Sequence, residues 1–594
     1  MKIDKCNYKL IDFLKIPFLY STGATLLMFI EKIVSSLAPT LQIALTAYFI
    51  DSVIGIFKGK FSKDRIIMPI IFILILLIYQ YTIPILIGLV KTKLNIRLTE
   101  TYRVVVTEKR ASLEYKHIEN NDTWDLIERV GKDPVERIMG GFDILLQLIG
   151  IVIRVGSLLL MIIFEVLWAG LIIIICTIPL FWLAIQSGKR TYKASQEAAK
   201  YTRRYGYLHS VLTGRDNVEE RSLFSYSKKL NQEYLNTFLS AYKIDLKAQR
   251  SRFIKMKSAS LITVIISIVV AGVLIIPLRS GYITIGLFTM IINSTFDLAQ
   301  LISWNLTHFA SELANNREYL RDLSAFFNLS ETSCATELPS LKRIDPKCIE
   351  FRDVCFAYPG TNKMILKNFN LKLYTKKSYA FVGCNGAGKT TITKLLTGLY
   401  DNYTGEILID NINLRSFSQS ELKSLFTVVY QDFARYQITI ADSIGLGNVN
   451  GAEEQDVKQV VKLIGLEDEV SRLENGLHTP LGKIVKGGVD FSGGQWQRVA
   501  IARSLVSRSF VHILDEPTAA LDPIVESEIY KLFGEISKGK TTIFITHRLG
   551  AVRLADEIIV IADGCVAERG CHDKLMSLDG IYAEMYEIQR GWYE

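Results

Sequence analysis

The chain has 594 residues, of which 49% are hydrophobic and 22% charged, and its mean hydropathy is +0.23. That length exceeds one compact unit, and the composition excludes a disordered chain, a collagen-like repeat and a disulfide scaffold. The formal net charge is +9, but residues 348–594 carry 27 Lys and Arg against 31 Asp and Glu. The basic excess therefore lies wholly in the apolar residues 1–347, which points to a membrane partner and away from nucleic acid.

Residues 7–18 (NYKLIDFLKIPF) read as an amphipathic helix at a membrane surface. Charges at Asp12 and Lys15 interrupt the apolar run and no small-residue cleavage pattern follows at a suitable distance, so the segment does not read as a signal peptide. Six segments are apolar enough to cross a hydrocarbon core: 20–50, 66–90, 141–164, 167–186, 259–279 and 282–306. The alternative, buried helices of a soluble domain, fits poorly with six such runs. The connections at 91–140 and 187–258 are long and basic, with 10 Lys and Arg in 91–137 and 14 in 187–253. The positive-inside rule places both in the cytosol, although Lys58, Lys60 and Lys63 make the first outer loop basic too. Residues 187–253 lack Pro and are rich in helix formers. Spans four and five are expected to run on as rods, the alternative being a separate small helical domain.

Polar groups inside the spans mark a candidate substrate path. Asn293, Asp297, Gln300 and Trp304 share one helical face, as do Asp143, Gln147 and Arg154, and Glu31 lies in the first span. A static Glu31–Arg154 or Asp297–Arg154 pair is the competing reading.

Residues 326–347, with Pro339 and Pro346, read as a linker between a membrane domain at 1–325 and a nucleotide domain at 348–594. From 348 on, short β-rich runs alternate with helical stretches, as in an α/β sheet covered by helices. The strand SYAFV runs into Gly383-Cys384-Asn385-Gly386-Ala387-Gly388-Lys389-Thr390, followed by Thr391, which is the P-loop pattern G-x-x-x-x-G-K-[ST]. Its glycines let backbone amides cradle phosphate, Lys389 bridges the β- and γ-phosphates, and the Thr390 hydroxyl binds Mg²⁺. The strand at 511–514 ends in Asp515 and Glu516. Asp515 can hold Mg²⁺ through water and Glu516 can polarise an attacking water, unless either serves as a helix N-cap. The eight cysteines are scattered without a C-x-x-C pair and read as free thiols. Cys384, inside the P-loop, suggests a redox switch, but many residue types fit that position.

Phe491-Ser492-Gly493-Gly494-Gln495 resembles the ABC signature motif, with Phe where Leu is usual. With GCNGAGKTT at 383–391 and VHILDEP at 511–517 it is similar to an ABC ATPase. Tyr358 matches the adenine-stacking aromatic, Gln431 the Q-loop, Asp522 the D-loop and His547 the switch histidine. The whole chain resembles an ABC exporter half-transporter: an α-helical six-span transmembrane domain followed by an α/β P-loop ABC ATPase domain.

The resemblance implies an ATP hydrolase coupled to transport, with ATP and Mg²⁺ as cofactors. Gln431 joins Thr390 and Asp515 around the metal, and Glu516, His547 and Gln431 form the catalytic group. It implies two composite sites in a dimer, each γ-phosphate being held by Lys389, Gln431 and His547 of one copy and by Ser492 and Gly494 of the other. Intact parts favour a homodimer over a heterodimer. Coupling is expected near His117–Trp124 and Leu212–Val218. QDFARYQITIADSIGLG (431–447), LGKIVKGGVDFSGGQWQRVAIAR (481–503) and HIENNDTWDLIERV (117–130) resemble exporters of lantibiotics and other ribosomally made peptides. The expected cargo is such a peptide, moved outward across a bacterial plasma membrane with the nucleotide domain in the cytosol. The alternatives are a multidrug or lipid exporter that carries a small amphipathic molecule, and a membrane-anchored ATPase without transport. No N-terminal protease domain is expected, so a leader peptide would be removed by another protein.

Overall fold

The computed structural model describes residues 7–168, 171, 186, 193–194, 197–301, 306–342, 344–517, 539–546, 552–553 and 555–591. The chain divides into two compact units, residues 1–107 with 126–328, and residues 108–125 with 329–594. This division falls at 328 and not 325, and it groups 108–125 with the C-terminal residues. Backbone hydrogen bonds explain it: Thr332 N donates to Ser112 O at 2.8 Å and Glu114 N to Ser330 O at 3.2 Å. These bonds form a short antiparallel clasp about Leu113 and Glu331.

The first unit is helical. Its amphipathic helix spans Asp12–Tyr20 and starts later than expected, because the Asp12 carboxylate accepts from Lys9 N at 2.7 Å and fixes the first turn there. Phe13 is fully buried and lies against Gly141, where a Cβ would meet its ring at 2.3 Å. Helices Thr22–Phe57, Ile67–Ser112 and Pro134–Glu165 carry the first three expected spans, except residues 20, 21 and 66, which fall before these helices. The second helix changes character along its length. Between Ile67 and Leu89 large apolar side chains are exposed on all sides, whereas Leu94, Leu98, Tyr102 and Val106 form a single buried stripe at four-residue spacing. An all-round apolar surface suits lipid, and the stripe suits a rod standing in water.

The fourth expected span, 167–186, lies almost entirely outside the described residues. The fifth is part of helix Ser227–Arg279, whose 53 residues reach ~80 Å, so this rod runs on from its span as expected. The sixth becomes helix Ile285–Gln300. It starts after residue 282 because Thr284 caps Leu287 N at 3.1 Å, while the Asp51 carboxylate accepts from Gly286 N at 2.8 Å. Among the described residues, Thr22–Phe57, Lys63–Ser112 and Pro134–Glu165 are long and apolar enough to cross a membrane, and Ser267–Arg279 and Ile285–Leu298 are shorter apolar helices. Leu158, Ile162, Leu274 and Ile291 are fully buried where these helices meet, and Thr40 Oγ1 and Ser157 Oγ share a hydrogen bond of 2.8 Å.

The second unit carries two sheets. Strands β1 (Cys348–Ala357), β2 (Met364–Tyr374), β4 (Thr404–Ile409) and β5 (Ile412–Asn413) form an antiparallel sheet in the order β2-β1-β4-β5. The other sheet contains β3 (Ser378–Val382), β6 (Phe426–Val429), β7 (Val511–Asp515), β8 (Thr541–Ile545), β9 (Glu557–Ala562) and β10 (Cys565–Gly570). Its order is β10-β9-β3-β8-β7-β6, parallel except for β10. Every residue of β3, β7 and β8 is buried, as expected for central strands covered on both faces. One face packs on Phe351, Phe369 and Ile392 and the other on Trp496, Val499 and Ile501. Ile545 of β8 is in register with Phe381 of β3 and with Asp515 of β7. The carboxyl ends of all three strands therefore open at one edge, where ligands bind in open α/β sheets.

Candidate nucleotide site

The P-loop occupies the turn between β3 and helix Lys389–Leu396. Gly388 precedes that helix with φ 104°, a conformation that only glycine adopts without strain. Gly383 tolerates no Cβ either, since one would lie 2.2 Å from Ile561 O. The Lys389 ammonium is buried and donates to the carbonyls of Gly383 at 2.8 Å and Cys384 at 3.0 Å. Burial pulls its pKa below the usual lysine value, and the negative charges of Glu516 and Asp515 oppose that shift.

Asp515 ends β7, almost wholly buried. Burial raises its pKa, while a hydrogen bond with the Thr390 side chain holds it down. Glu516 follows at φ 50°, unusual for a residue with a Cβ and a position where strain is held by its surroundings. The bond from Glu516 N to Ile545 O at 2.8 Å pins this turn. Tyr358 comes just after β1, packed edge-on against Phe356 and Tyr400 with centroids 5.1 and 5.6 Å away. Its hydroxyl shares a hydrogen bond of 2.9 Å with Thr391 Oγ1. A cavity of about 470 Å³ is lined by Tyr358, Asn385, Gly386, Gly388, Lys389, Thr390, Thr391, Gln431 and Glu516.

Ser492, Gly493, Gly494 and Gln495 do not line that cavity. They begin helix Gly493–Val506 as a capping box: Ser492 Oγ accepts from Gln495 N at 3.3 Å and Gln495 Oε1 accepts from Ser492 N at 2.9 Å. The signature serine thus has a structural duty as well. Ala387 is buried and Cys384 exposed. His547 and Asp522 lie outside the described residues.

Residues not singled out from the sequence adjoin the site. Lys394, on the P-loop helix, stands 5.2 Å from the Tyr358 ring centroid and 5.3 Å from that of Tyr115. Its ammonium is 2.6 Å from Glu119 Oε1, and Glu119 also accepts from the Tyr400 hydroxyl. The first expected coupling segment therefore touches the nucleotide unit directly. The Leu212–Val218 segment forms a turn in the helical unit, where Arg221 donates to Leu212 O.

Of the candidate path residues, Arg154 and Asp297 meet: Arg154 Nη2 is 2.5 Å from Asp297 Oδ2. Asp143 pairs with Lys91 at 2.6 Å. Glu31 is half-buried and Asn293 exposed. Gln300 closes helix Ile285–Gln300, and Trp304 lies outside the described residues.

A P-loop site on a parallel sheet, joined in one chain to long apolar helices, defines a membrane-bound, nucleotide-driven transporter subunit. The chain belongs to the ABC transporter family. The family pattern described as ABC transporter matches residues 366–519. The subtilin transport ATP-binding protein SpaT of Bacillus subtilis is 30% identical over 84% of this chain and 81% of its own length. The nisin transport ATP-binding protein NisT of Lactococcus lactis subsp. lactis is 27% identical over 96% of this chain and 95% of its own length. The ATP-dependent lipid A-core flippase of Escherichia coli (strain K12) is 34% identical over 58% of this chain and 59% of its own length. A solved structure of a bacterial Atm1-family ABC exporter with ATP bound superposes with a TM-score of 0.71 at 23% identity, covering 96% of this chain and 97% of that one. That likeness bears on the fold, a helical membrane domain of the ABC exporter type followed by the ABC ATPase domain. The protein is an ABC exporter half-transporter that binds nucleotide and couples ATP hydrolysis to transport across a membrane.

Proposed function

We propose that the protein exports a ribosomally made, lantibiotic-type peptide from the cytosol across a bacterial plasma membrane, working as a dimer of two identical copies. The single observation that carries this reading is the likeness to SpaT and NisT over 84% and 96% of the chain. The lipid reading rests on flippases that are 30% identical over 74% of the chain and 34% identical over 58% of it, less of the chain than SpaT or NisT matches. ATP-dependent accumulation of a tagged precursor peptide in inside-out vesicles tests the proposal. Accumulation without ATP, or none with it, overturns the cargo assignment.

We assign the residue roles from the lining of the site and, for His547 and Asp522, from the family resemblance alone. Lys389 already has backbone oxygens around its ammonium, and γ-phosphate oxygens are stronger partners for it. Burial keeps that charge in a weakly screened place, where it acts most strongly on phosphate. Tyr358 supplies an aromatic face for adenine, its ring fixed by Thr391 and by two aromatic neighbours. Glu516 lines the cavity from a backbone held apart from β7, so its carboxylate can take the proton of an attacking water. Gln431 lines the cavity, and the resemblance gives His547 a place beside it at the γ-phosphate. We assign closure of the cavity to Ser492 and Gly494 of the partner subunit, and to Asp522 the D-loop role that the resemblance implies.

Hard oxygen donors suit Mg²⁺, and Thr390 Oγ1, the Gln431 side-chain carbonyl and Asp515 supply them at one edge of the sheet. The contact between Thr390 and the buried Asp515 fits a carboxylate that reaches the metal through water. The ion neutralises phosphate charge when bound.

A further inference from the structure

In the helical unit a second cavity, of about 280 Å³, is bounded by Lys32, Ser35, Ser36, Gln147, Gly150 and Arg154, among other side chains. It lies where the apolar runs of helices Thr22–Phe57 and Pro134–Glu165 pass each other. Arg154 falls near the middle of the expected third span, so these polar groups sit at membrane depth. Polar and charged groups at that depth face each other or a water-filled path.

The charges in the cavity do not cancel. The Arg154 guanidinium meets the Asp297 carboxylate at 2.5 Å through Nη2, but its Nε–H is buried with no hydrogen-bond partner. Among the described residues no carboxylate lies within ion-pair distance of the Lys32 ammonium. The Lys32 stem is given room by Gly150, where a Cβ would come 2.6 Å from Lys32 Cε and 2.7 Å from Ser36 Oγ. The two serine hydroxyls are committed, since both donate to Lys32 O, at 3.2 Å for Ser35 and 2.6 Å for Ser36. The donors left for a ligand are the Lys32 ammonium, the Arg154 N–H groups that Asp297 does not engage and the Gln147 amide.

We infer that this cavity is a subsite for one carboxylate of the cargo, an inference that rests on the peptide reading above. With Arg154 balanced by Asp297, the uncompensated charge is a single ammonium, which matches one carboxylate and not a doubly charged phosphate monoester. Lys32 supplies the charge, and Arg154, with its guanidinium fixed by Asp297, supplies further N–H donors and direction. Gly150 keeps the pocket open. An acidic side chain or a free C-terminus can enter it, whereas the same peptide without charge leaves Lys32 desolvated and unpaired.

The test uses the full-length protein in nanodiscs of phosphatidylcholine and a pair of dye-labelled amphipathic twenty-residue peptides. One carries two aspartates and a free C-terminus. Its twin carries asparagines and a C-terminal amide. The acidic peptide should bind at least about tenfold more tightly, and Lys32→Met should bring the two within about twofold while Lys32→Arg keeps the preference. Half-saturation by ATP should stay unchanged in both variants, which shows that they fold. Equal binding of the twins, no binding of either, or a preference that survives Lys32→Met overturns the subsite. So does displacement of the acidic peptide by phosphatidylglycerol in the bilayer to an extent that depends on Lys32, because the occupant is then a lipid phosphate. Lys32-dependent binding of the acidic peptide without ATP-driven accumulation in vesicles retains the subsite and removes the export of that peptide, so the two failures are separable.

Discussion

The ammonium of Lys394 lies 2.6 Å from Glu119 Oε1, across a sequence separation of 275 residues. Lys394 is on the P-loop helix, and Glu119 ends the short helix Tyr115–Glu119 of the connection at 91–140. The same ammonium stands over the rings of Tyr115 and Tyr358. Burial alone would lower its pKa, but the Glu119 carboxylate and the two phenols more than offset this and hold it above the usual lysine value. For Glu119 burial pushes upward, and the bonds from Lys394 and Tyr400 win, so its pKa lies below the ordinary carboxylate range. One cation thereby ties this connection to the ring proposed to stack on adenine.

Lys394→Met removes a half-buried ion pair and two cation–π contacts. Terms of ~0.5–1 kcal/mol each are typical of such contacts. ATP half-saturation should rise by about three- to tenfold. Glu119→Gln keeps the ring contacts, so it should move ATP half-saturation by less than about threefold while cargo stimulation of ATPase activity falls. Steady-state ATPase titrations with and without cargo read both. If Lys394→Met leaves ATP half-saturation unchanged, the tie between the two elements has no part in binding nucleotide.

The legible and illegible parts of this molecule divide along physical lines. The P-loop, Asp515 and Glu516 were readable because their chemistry demands fixed residue types within a few positions of one another, and strand order then brings them to one edge. The spans were readable because lipid tolerates one kind of surface, as the evenly exposed apolar side chains of residues 67–89 illustrate. Lys394, Glu119 and Tyr400 carry no local pattern, since only the fold places them together. The late start of helix Asp12–Tyr20 turned on one carboxylate bond to Lys9 N, which hydrophobic periodicity does not register. Arg154 and Asp297 were visible as candidates from their cost in a membrane, and their pairing was one of two pairs the sequence allowed; the choice of Asp297 over Glu31 depends on how the helices are rotated. Lys32 drew no notice beside Glu31, because its significance lies in the space that Gly150 leaves.

Glu516→Gln should bind ATP with near wild-type affinity and hydrolyse it at least about a hundredfold more slowly, the usual scale of a lost general base. Lys389→Ala should instead weaken ATP binding, since it removes a buried cation aimed at phosphate. Nucleotide-binding isotherms alongside single-turnover rates separate the two effects. Wild-type turnover in Glu516→Gln would remove the general-base role.

His512 on β7 sits wholly inside the nucleotide unit, and its pKa is lowered to about 3 by burial and by the nearby Lys540 charge. Its ring nitrogens face Ser504 Oγ at 3.3 Å and Ser509 O at 3.2 Å. The folded value lies below the ordinary histidine value of ~6.5. Between the two the unfolded chain binds a proton that the folded chain refuses, so stability contributed by neutral His512 is complete above pH ~6.5 and declines as the pH falls toward ~3. The unfolding midpoint of the full-length protein in urea should fall between pH 7 and pH 5. In His512→Asn that slope should be shallower, though the variant starts from a lower midpoint because the packing around Ser504 and Lys540 is disturbed. An identical slope in both proteins would assign the pH dependence to other groups.

Ser492 separates a local role from a shared one. Its capping box contributes ~1 kcal/mol to the start of helix Gly493–Val506, so Ser492→Ala should lower the unfolding midpoint slightly whatever else it does. The proposed role across the dimer makes a different demand. Lys389→Ala disables the P-loop of its own copy, and Ser492→Ala disables the signature it offers to the other copy. Each variant alone should be nearly inactive. In a mixed dimer of the two, one composite site collects both defects and the other is built from intact parts. Co-expression of differently tagged copies, followed by tandem purification of the mixed dimer, should therefore restore about half of the wild-type ATPase rate if the sites act independently. If each copy completed its own site, the mixed dimer would pair one dead P-loop with one dead signature and stay as inactive as either parent. The recovered rate thus reads which copy supplies Ser492 to the phosphate held by Lys389, and a rate no higher than the parents removes the composite site.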